Sequence, residues 1–279
     1  MILDHKIRYL QIAFNYDLGM VRRVLPSMPH SPRILIEAGT PYIKREGARG
    51  IQEIRRLWPG VVVADLKVAD GAQGEVELAG QAGAGAATAL GESSTETLDI
   101  FVETCERLGL ASMIDMVGVH DPLSTVSRMR VPPDVVVLHR GRDEEGTRGK
   151  VIQYRHVNRL RSKYDVLISA AGGVDLREAR SAIFNGASIV VVNLVRPGDP
   201  WEGISTDEDM AAMAKTFLET IEYGSLQRLG RGWSCGHRMS MPHCRKPGAA
   251  LERGRPGRTE VGQMPAASFA CIRTAPGLF

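Results

Sequence analysis

The feature that most constrains this chain is a recurrence. Eight short runs of apolar, mostly β-branched residues begin at intervals of roughly 25 residues, and longer amphipathic stretches separate most of them. The runs are Tyr9–Phe14, Ile34–Glu37, Val61–Asp65, Ala86–Leu90, Ser112–Asp115, Val135–His139, Val166–Ala170 and Ile189–Val192. Helical patterns occupy Gly47–Trp58, Glu75–Gln81, Thr95–Leu108, Lys150–Lys163, Leu176–Asn185 and Thr206–Tyr223. Ser94, Asp175 and Ser205 stand where helix caps belong, and Gly109 and Gly186 where helices should stop. Eight strand-then-helix units predict a closed parallel barrel of the α/β class, a (β/α)8 TIM barrel, over residues 1–223.

The length of 279 residues accommodates such a barrel, which typically needs about 250. Aromatic residues make up only 5% of the chain, so its core must be built from Val, Ile, Leu, Ala and Met. A doubly wound open sheet is the rival architecture, but the Gly-x-Gly-x-x-Gly loop after a first strand is missing. Gly83-Ala84-Gly85 follows a helix and precedes a strand, the order of a tight connection rather than of a nucleotide loop. No apolar run approaches the roughly 18 to 20 residues of a membrane span, and Met1–Lys6 lacks the apolar stretch of a signal peptide. Four cysteines, three of them in the last fifth, are not a disulfide framework. These features predict a cytoplasmic protein.

The formal net charge of +3 hides an asymmetry. Residues 224–279 carry nine Lys or Arg against two Glu, which leaves residues 1–223 mildly acidic. This second segment is rich in Gly and Pro and has no sustained apolar period, which predicts a poorly ordered basic extension. Its Cys235, His237, His243 and Cys244 lack the spacing of a structural zinc site. Neither an aromatic platform nor a recognisable motif accompanies its arginines, which speaks against nucleic-acid binding.

In a parallel barrel the functional groups sit at the C-terminal ends of the strands. Read in order, those ends give Asn15, Glu37, then Asp65 with Lys67 and Asp70, Asp115, His139 with Arg142, Gly172-Gly173, and Asn193. Glu37 and Asp65 on adjacent strands offer two hard oxygen donors, a pair that suits Mg²⁺. Alone, Glu37 reads equally well as the cap of a neighbouring loop. Asp65 and Lys67 share a strand face, as a salt bridge or as part of a site. His139 can relay a proton near neutral pH, and Arg142 can hold an anion through a planar contact. Gly172 and Gly173 precede a helix start whose bare amides would suit a phosphate, or form a plain turn.

Together these segments resemble the orotidine 5′-monophosphate decarboxylase suprafamily, in the branch that holds 3-hexulose-6-phosphate synthase and 3-keto-L-gulonate-6-phosphate decarboxylase. The resemblance runs from about Leu10 to Tyr223. Glu37–Gly47, beginning Glu-Ala-Gly-Thr-Pro, and Met113–Pro122 look like the synthase; Lys67-Val68-Ala69-Asp70 and His139-Arg140-Gly141-Arg142-Asp143 look more like the decarboxylase. The resemblance implies a carbon–carbon lyase working on the enediolate of a sugar phosphate with Mg²⁺, or Mn²⁺, near Glu37 and Asp65. Lys67 and Asp70 would orient substrate hydroxyls, and His139, Arg142 and Asp115 would complete the catalytic set. Asn15, Thr40, Gly172, Gly173, Asn193 and Arg196 would bind substrate. It also implies a homodimer in which Asp70 reaches the partner's site.

Two positions depart from the branch pattern. Asn15 stands where an Asp is usual, and Leu194 follows Asn193 where a glycine-containing phosphate loop is usual, so that Leu194 is expected to crowd a phosphate. Three readings follow: aldol addition of formaldehyde to ribulose 5-phosphate, decarboxylation of a 3-keto sugar-acid phosphate, or a non-catalytic barrel repurposed to bind a phosphorylated ligand.

Overall fold

A computed structural model describes residues 3–145, 147 and 149–229. The chain divides into units of residues 1–232 and 233–279, and the second unit lies outside the described residues. So do the order of the basic extension and the disposition of its Cys and His residues.

Eight parallel strands form the barrel: β1 (Tyr9–Phe14), β2 (Ile34–Ala38), β3 (Val62–Val68), β4 (Ala86–Leu90), β5 (Ala111–Asp115), β6 (Val135–His139), β7 (Leu167–Ala171) and β8 (Ile189–Val195). They pair in sequence order, and β8 returns to β1 from Tyr9↔Ile189 to Ala13↔Asn193. A short β9 (Ile204–Ser205) extends β8 beyond the barrel, Leu194 opposite Ile204.

Alternation along each strand separates two apolar layers. Tyr9, Leu35, Val63, Ala86, Met113, Val135, Leu167 and Ile189 fill the lumen. Residues of opposite parity, such as Leu10, Ile36, Val62, Ala87, Ile114, Val136, Ile168 and Val190, pack outward against the helices. A lumen plugged by apolar side chains below leaves room for polar groups only towards the strands' C-terminal ends.

The expected caps hold at Ser94 and Asp175, whose side chains accept from the amides of Thr97 and Glu178. Ser205 is not a cap. Its hydroxyl turns to Asp207, and Asp209 accepts from the amides of Ala211 and Ala212 at the start of the helix Met210–Leu229. That helix begins four residues later than Thr206 and runs beyond Tyr223. The expected helix Lys150–Lys163 is also corrected: only a 3₁₀ turn, Tyr154–His156, and one helical turn and a half, Val157–Arg161, form there. Leu194 does not crowd the lumen. Strand parity turns it outward into the core, 1% exposed, while Val191 and Asn193 face inward.

Candidate active site

The lumen residues next above the apolar plug are Gln11, Glu37, Asp65, Thr88, Asp115, His139 and Asn193, and all line one cavity of about 570 Å³. The period of two that buries Val63 brings Asp65 and then Lys67 to the same side. Lys67 reaches it by a local distortion. It has φ of +49°, the only non-glycine residue with positive φ among those described, and the β3–β4 register shifts between Ala64 and Val68. Its amide leaves the ladder and donates to Thr88 Oγ1 at 3.0 Å. A left-handed lysine is sterically costly, and such strain concentrates at functional sites.

The result is a buried ionic network. Lys67 Nζ donates to Asp65 Oδ1 at 3.2 Å and makes a close contact with Asp115 Oδ2. Asp115 also holds His139, with Nδ1 at 3.0 and 2.8 Å from its two oxygens, and accepts from the Val117 amide at 2.9 Å. Asp65 is fixed from the other side, by Thr88 Oγ1 at 2.8 Å and Thr40 Oγ1 at 2.6 Å. Burial alone would raise the Asp115 carboxyl, but His139 and Lys67 outweigh it and hold it well below the ordinary range. For His139 and Lys67 burial would favour the neutral forms; Asp115 raises the first, and Asp65 with Asp115 raises the second. With Nδ1 committed to Asp115, Nε2 is the ring nitrogen left for a ligand.

Glu37 stands apart from this compensation. It is 7% exposed, and Gln11 Nε2 donates to its Oε2 at 2.5 Å. Burial first, and the Asp65 charge second, push its pKa up to about 7 against the pull of Gln11 and Lys67. Among the described residues no group of three or more His, Cys, Asp or Glu is arranged to hold a metal. Two carboxylates suffice for Mg²⁺, which keeps several waters and takes its remaining oxygens from substrate. The repulsion between Glu37 and Asp65, only partly offset by Gln11 and Lys67, is what a divalent cation would relieve, so the donor set fits that ion.

At the rim, Asn15 Nδ2 donates to Asn193 Oδ1 at 3.1 Å, joining the ends of β1 and β8 within the cavity wall. Arg142 lines the cavity, its guanidinium 4.8 Å from the centre of the Trp201 ring. Gly172 lines it too, but the Gly172-Gly173 turn is already filled by the chain itself. The two residues have φ of +100° and +60°, and a Cβ on Gly172 would lie 1.9 Å from the Arg140 carbonyl oxygen. Arg140 Nη2 donates to both glycine carbonyls, at 3.1 and 3.3 Å. Glu145 lies against Gly173, where a Cβ would stand 3.1 Å from its Oε2.

The structure therefore brings Asn15, Glu37, Thr40, Asp65, Lys67, Asp115, His139, Arg142, Gly172 and Asn193 around one space. It does not bring Asp70, Gly173 and Arg196 onto that wall. Asp70 is exposed on the loop after β3. Arg196 lies over the Tyr16 ring at 4.3 Å and pairs with Asp17 at 3.0 Å. Gln11, Thr88 and Trp201 are functional neighbours that strand-end reading misses. Gln11 and Thr88 had a signal, a lone polar residue at lumen parity in an apolar strand; Trp201 had none.

The model of the orotidine 5′-phosphate decarboxylase / HUMPS family matches residues 10–193. A bifunctional enzyme Fae/Hps of Methanothrix thermoacetophila is 35% identical over 222 residues, 79% of this chain and 54% of that protein. The chain thus spans about half the length of that relative. A crystal structure of 3-hexulose-6-phosphate synthase shares 26% identity, with a TM-score of 0.62, over 76% of this chain and 99% of that one. The 3-hexulose-6-phosphate synthase of Salmonella typhimurium, 23% identical over 77% and 99% of the two chains, has the same fold with a TM-score of 0.67.

Proposed function

This chain belongs to the orotidine 5′-phosphate decarboxylase / HUMPS family, and we propose that within it the barrel is a carbon–carbon lyase of the 3-hexulose-6-phosphate synthase type. The reaction is the reversible addition of formaldehyde to ribulose 5-phosphate. The observation that carries this reading is the network in which Asp115 holds both His139 and Lys67 above a cavity that also contains Glu37 and Asp65. The similarity to 3-hexulose-6-phosphate synthase supports the same substrate class.

In the forward direction a base removes a proton from C1 of the ketose, the resulting enediolate carbon attacks formaldehyde, and the aldehyde oxygen takes up a proton. His139 suits the proton transfers. Asp115 fixes its orientation and raises its proton affinity, so the ring can take the C1 proton through Nε2 and return one to the new hydroxyl. Lys67, held cationic between two carboxylates, offers N–H donors to the enediolate oxygens. Asn15 and Asn193 present amide groups at the other wall, and Arg142 a guanidinium for the phosphate. Mg²⁺ or Mn²⁺ held by Glu37 and Asp65 would supply positive charge for the developing oxyanion without a proton transfer.

Incubation of the purified protein with ribulose 5-phosphate, formaldehyde and Mg²⁺ is expected to yield a hexulose phosphate. Lys67→Ala should lower the rate by about 10²-fold or more, the scale of losing one preorganised donor to an oxyanion. A 3-keto sugar-acid phosphate serves as the second substrate. Release of CO₂ from it without aldol product would replace this reading by the decarboxylase one, for which Arg142-Asp143 after His139-Arg140-Gly141 speaks. No turnover of either, with no Mg²⁺ or Mn²⁺ binding at millimolar concentration, would establish a repurposed barrel.

A further inference from the structure

Asp65 and Glu37, the two carboxylates that suit a divalent ion, differ in how many protein donors they carry. A carboxylate has about four lone-pair sites, and in Asp65 each of them has a donor. Oδ1 accepts from Thr88 Oγ1 at 2.8 Å and from Lys67 Nζ at 3.2 Å. Oδ2 accepts from Thr40 Oγ1 at 2.6 Å and, more weakly, from the Thr40 amide at 3.4 Å. Among the described residues Glu37 accepts from one donor alone, Gln11 Nε2. A cation entering the lumen therefore finds Glu37 open, while Asp65 must give up a donor first.

The donors on Asp65 are not held alike. The Thr40 hydroxyl, at the start of the helix Thr40–Glu46, also lies 2.8 Å from the Asp65 carbonyl oxygen, and the Thr88 hydroxyl, in the middle of β4, also accepts from the Lys67 amide at 3.0 Å. Each is thus tied to backbone as well as to the carboxylate. Lys67 Nζ stands at the end of a long, flexible stem. Its bond to Asp65 is longer than those of both hydroxyls, and it has a second and closer partner in Asp115. Asp115 is fixed by His139 and the Val117 amide, so it stays in place when the ammonium turns fully onto it. Lys67 is also the one charged donor of the set, and its charge reaches Glu37. Both ends of this ion pair are accessible: Lys67 and Asp65 line the 570 Å³ cavity, their side chains 24% and 12% exposed.

We infer that Lys67 is an internal cation that competes with the divalent ion for Asp65 and so sets how tightly the barrel holds its metal. The inference rests on the metal site proposed above and deepens it. Release of Asp65 Oδ1 by the ammonium is the step that opens the second carboxylate. A sugar whose oxygens accept from Nζ draws the ammonium away, so ion and sugar favour each other's binding through Lys67.

The test is a titration of the full chain with Mn²⁺ at pH 8, where Glu37 is ionised, followed by the electron paramagnetic resonance of the free ion. Lys67→Ala is expected to bind Mn²⁺ about tenfold or more tighter than wild type, within the usual range of such couplings. Lys67→Gly, which takes up the positive φ of this position without strain, should do the same if the alanine variant fails to fold. Arg142→Gln removes another cation of the cavity, one bonded to neither carboxylate, and should change the affinity far less. Ribulose 5-phosphate is expected to tighten Mn²⁺ binding in wild type more than in Lys67→Ala. Glu37→Gln should abolish the binding in either background. Mn²⁺ held equally by wild type and both Lys67 variants would overturn the inference and leave the metal site standing, whereas Mn²⁺ held by none of them would overturn both. A gain in Arg142→Gln as large as that in Lys67→Ala would show a general effect of charge and refute the assignment to Lys67.

Discussion

Glu37→Gln should make the metal-free protein more stable while abolishing what the site is for. A carboxyl moved from an ordinary 4.5 to about 7 binds its proton more tightly in the folded chain than in the unfolded one. Below pH 4.5 both states carry the proton and folding is indifferent to it. Between pH 4.5 and 7 the folded chain binds more protons, so its stability falls as pH rises. Above 7 the full cost of a buried carboxylate is present. At roughly 1.4 kcal/mol per pH unit this amounts to about 3 kcal/mol. The amide that the substitution introduces carries no charge and can donate to Gln11 Oε1, which is buried without a partner. Thermal unfolding in EDTA should therefore show the variant and wild type close together at pH 4.5. At pH 8 the variant should unfold higher by about 6–12 °C, on the scale of a domain of this size. With 10 mM Mg²⁺ the wild type should rise and the variant should not. A variant less stable than wild type at pH 8 in EDTA, or one equally shifted at both pH values, would refute the electrostatic reasoning.

Three further outcomes follow from the same geometry. Cys105 is fully buried in the helix Thr95–Leu108, and burial, followed by the Asp134 charge, pushes its thiol up to about 12; iodoacetamide at pH 8 should spare it until the barrel unfolds, and peptide mass spectrometry showing native labelling at the unfolded rate would contradict this. Glu145→Gln removes a negative charge lying against Gly173 and should tighten phosphate-ester binding several-fold in a competition assay, whereas weaker binding would mean that Glu145 organises the turn rather than opposing the anion. Trp201→Ala takes away the ring under Arg142, a contact worth about 1 kcal/mol, so KM should rise about fivefold with kcat little changed; an unchanged KM would show that Arg142 is positioned without it.

Much of this arrangement is legible before any coordinates, because a parallel barrel enforces a simple code. Tyr9–Phe14, Ala86–Leu90 and Val135–His139 have the strand bounds that alternation and β-branching predict, and eight of the charged or amide groups at strand ends converge as the barrel requires. What alternation does not reveal is where local chemistry overrides it. The helix Thr40–Glu46 hides behind Pro41, which breaks helices elsewhere but fits the first turn, where its missing N–H costs nothing. Pro122 does the same after the Asp121 cap. The left-handed Lys67 is invisible in a Val-Ala-Asp-Leu-Lys-Val run, since only the competition of Thr88 for its amide and of two carboxylates for its ammonium sets that conformation. Leu194 shows the converse: its composition suggests an obstructed phosphate end, and its parity turns it into the core.

The two clusters of buried charge differ in a way that bears on how the site works. Around Asp115 the charges are matched, with His139 and Lys67 both bonded to it, and such a network is stable without any ligand. Around Glu37 they are not, and the imbalance falls on the carboxylate that a divalent cation would share with Asp65. A fold selected for stability alone would replace Glu37 by an amide. Its presence places the unfavourable charge where a cation would stabilise it, so that a bound metal would compete with the proton for one group and its affinity would fall as pH drops through 7. In the proposed reaction the proton-handling half of the site is thus built in advance, while the half that would stabilise an oxyanion would be completed only on binding. One wall of the cavity is therefore fixed by its own ion pairs, and the other is the point at which the proton acts and at which the proposed metal would compete with it.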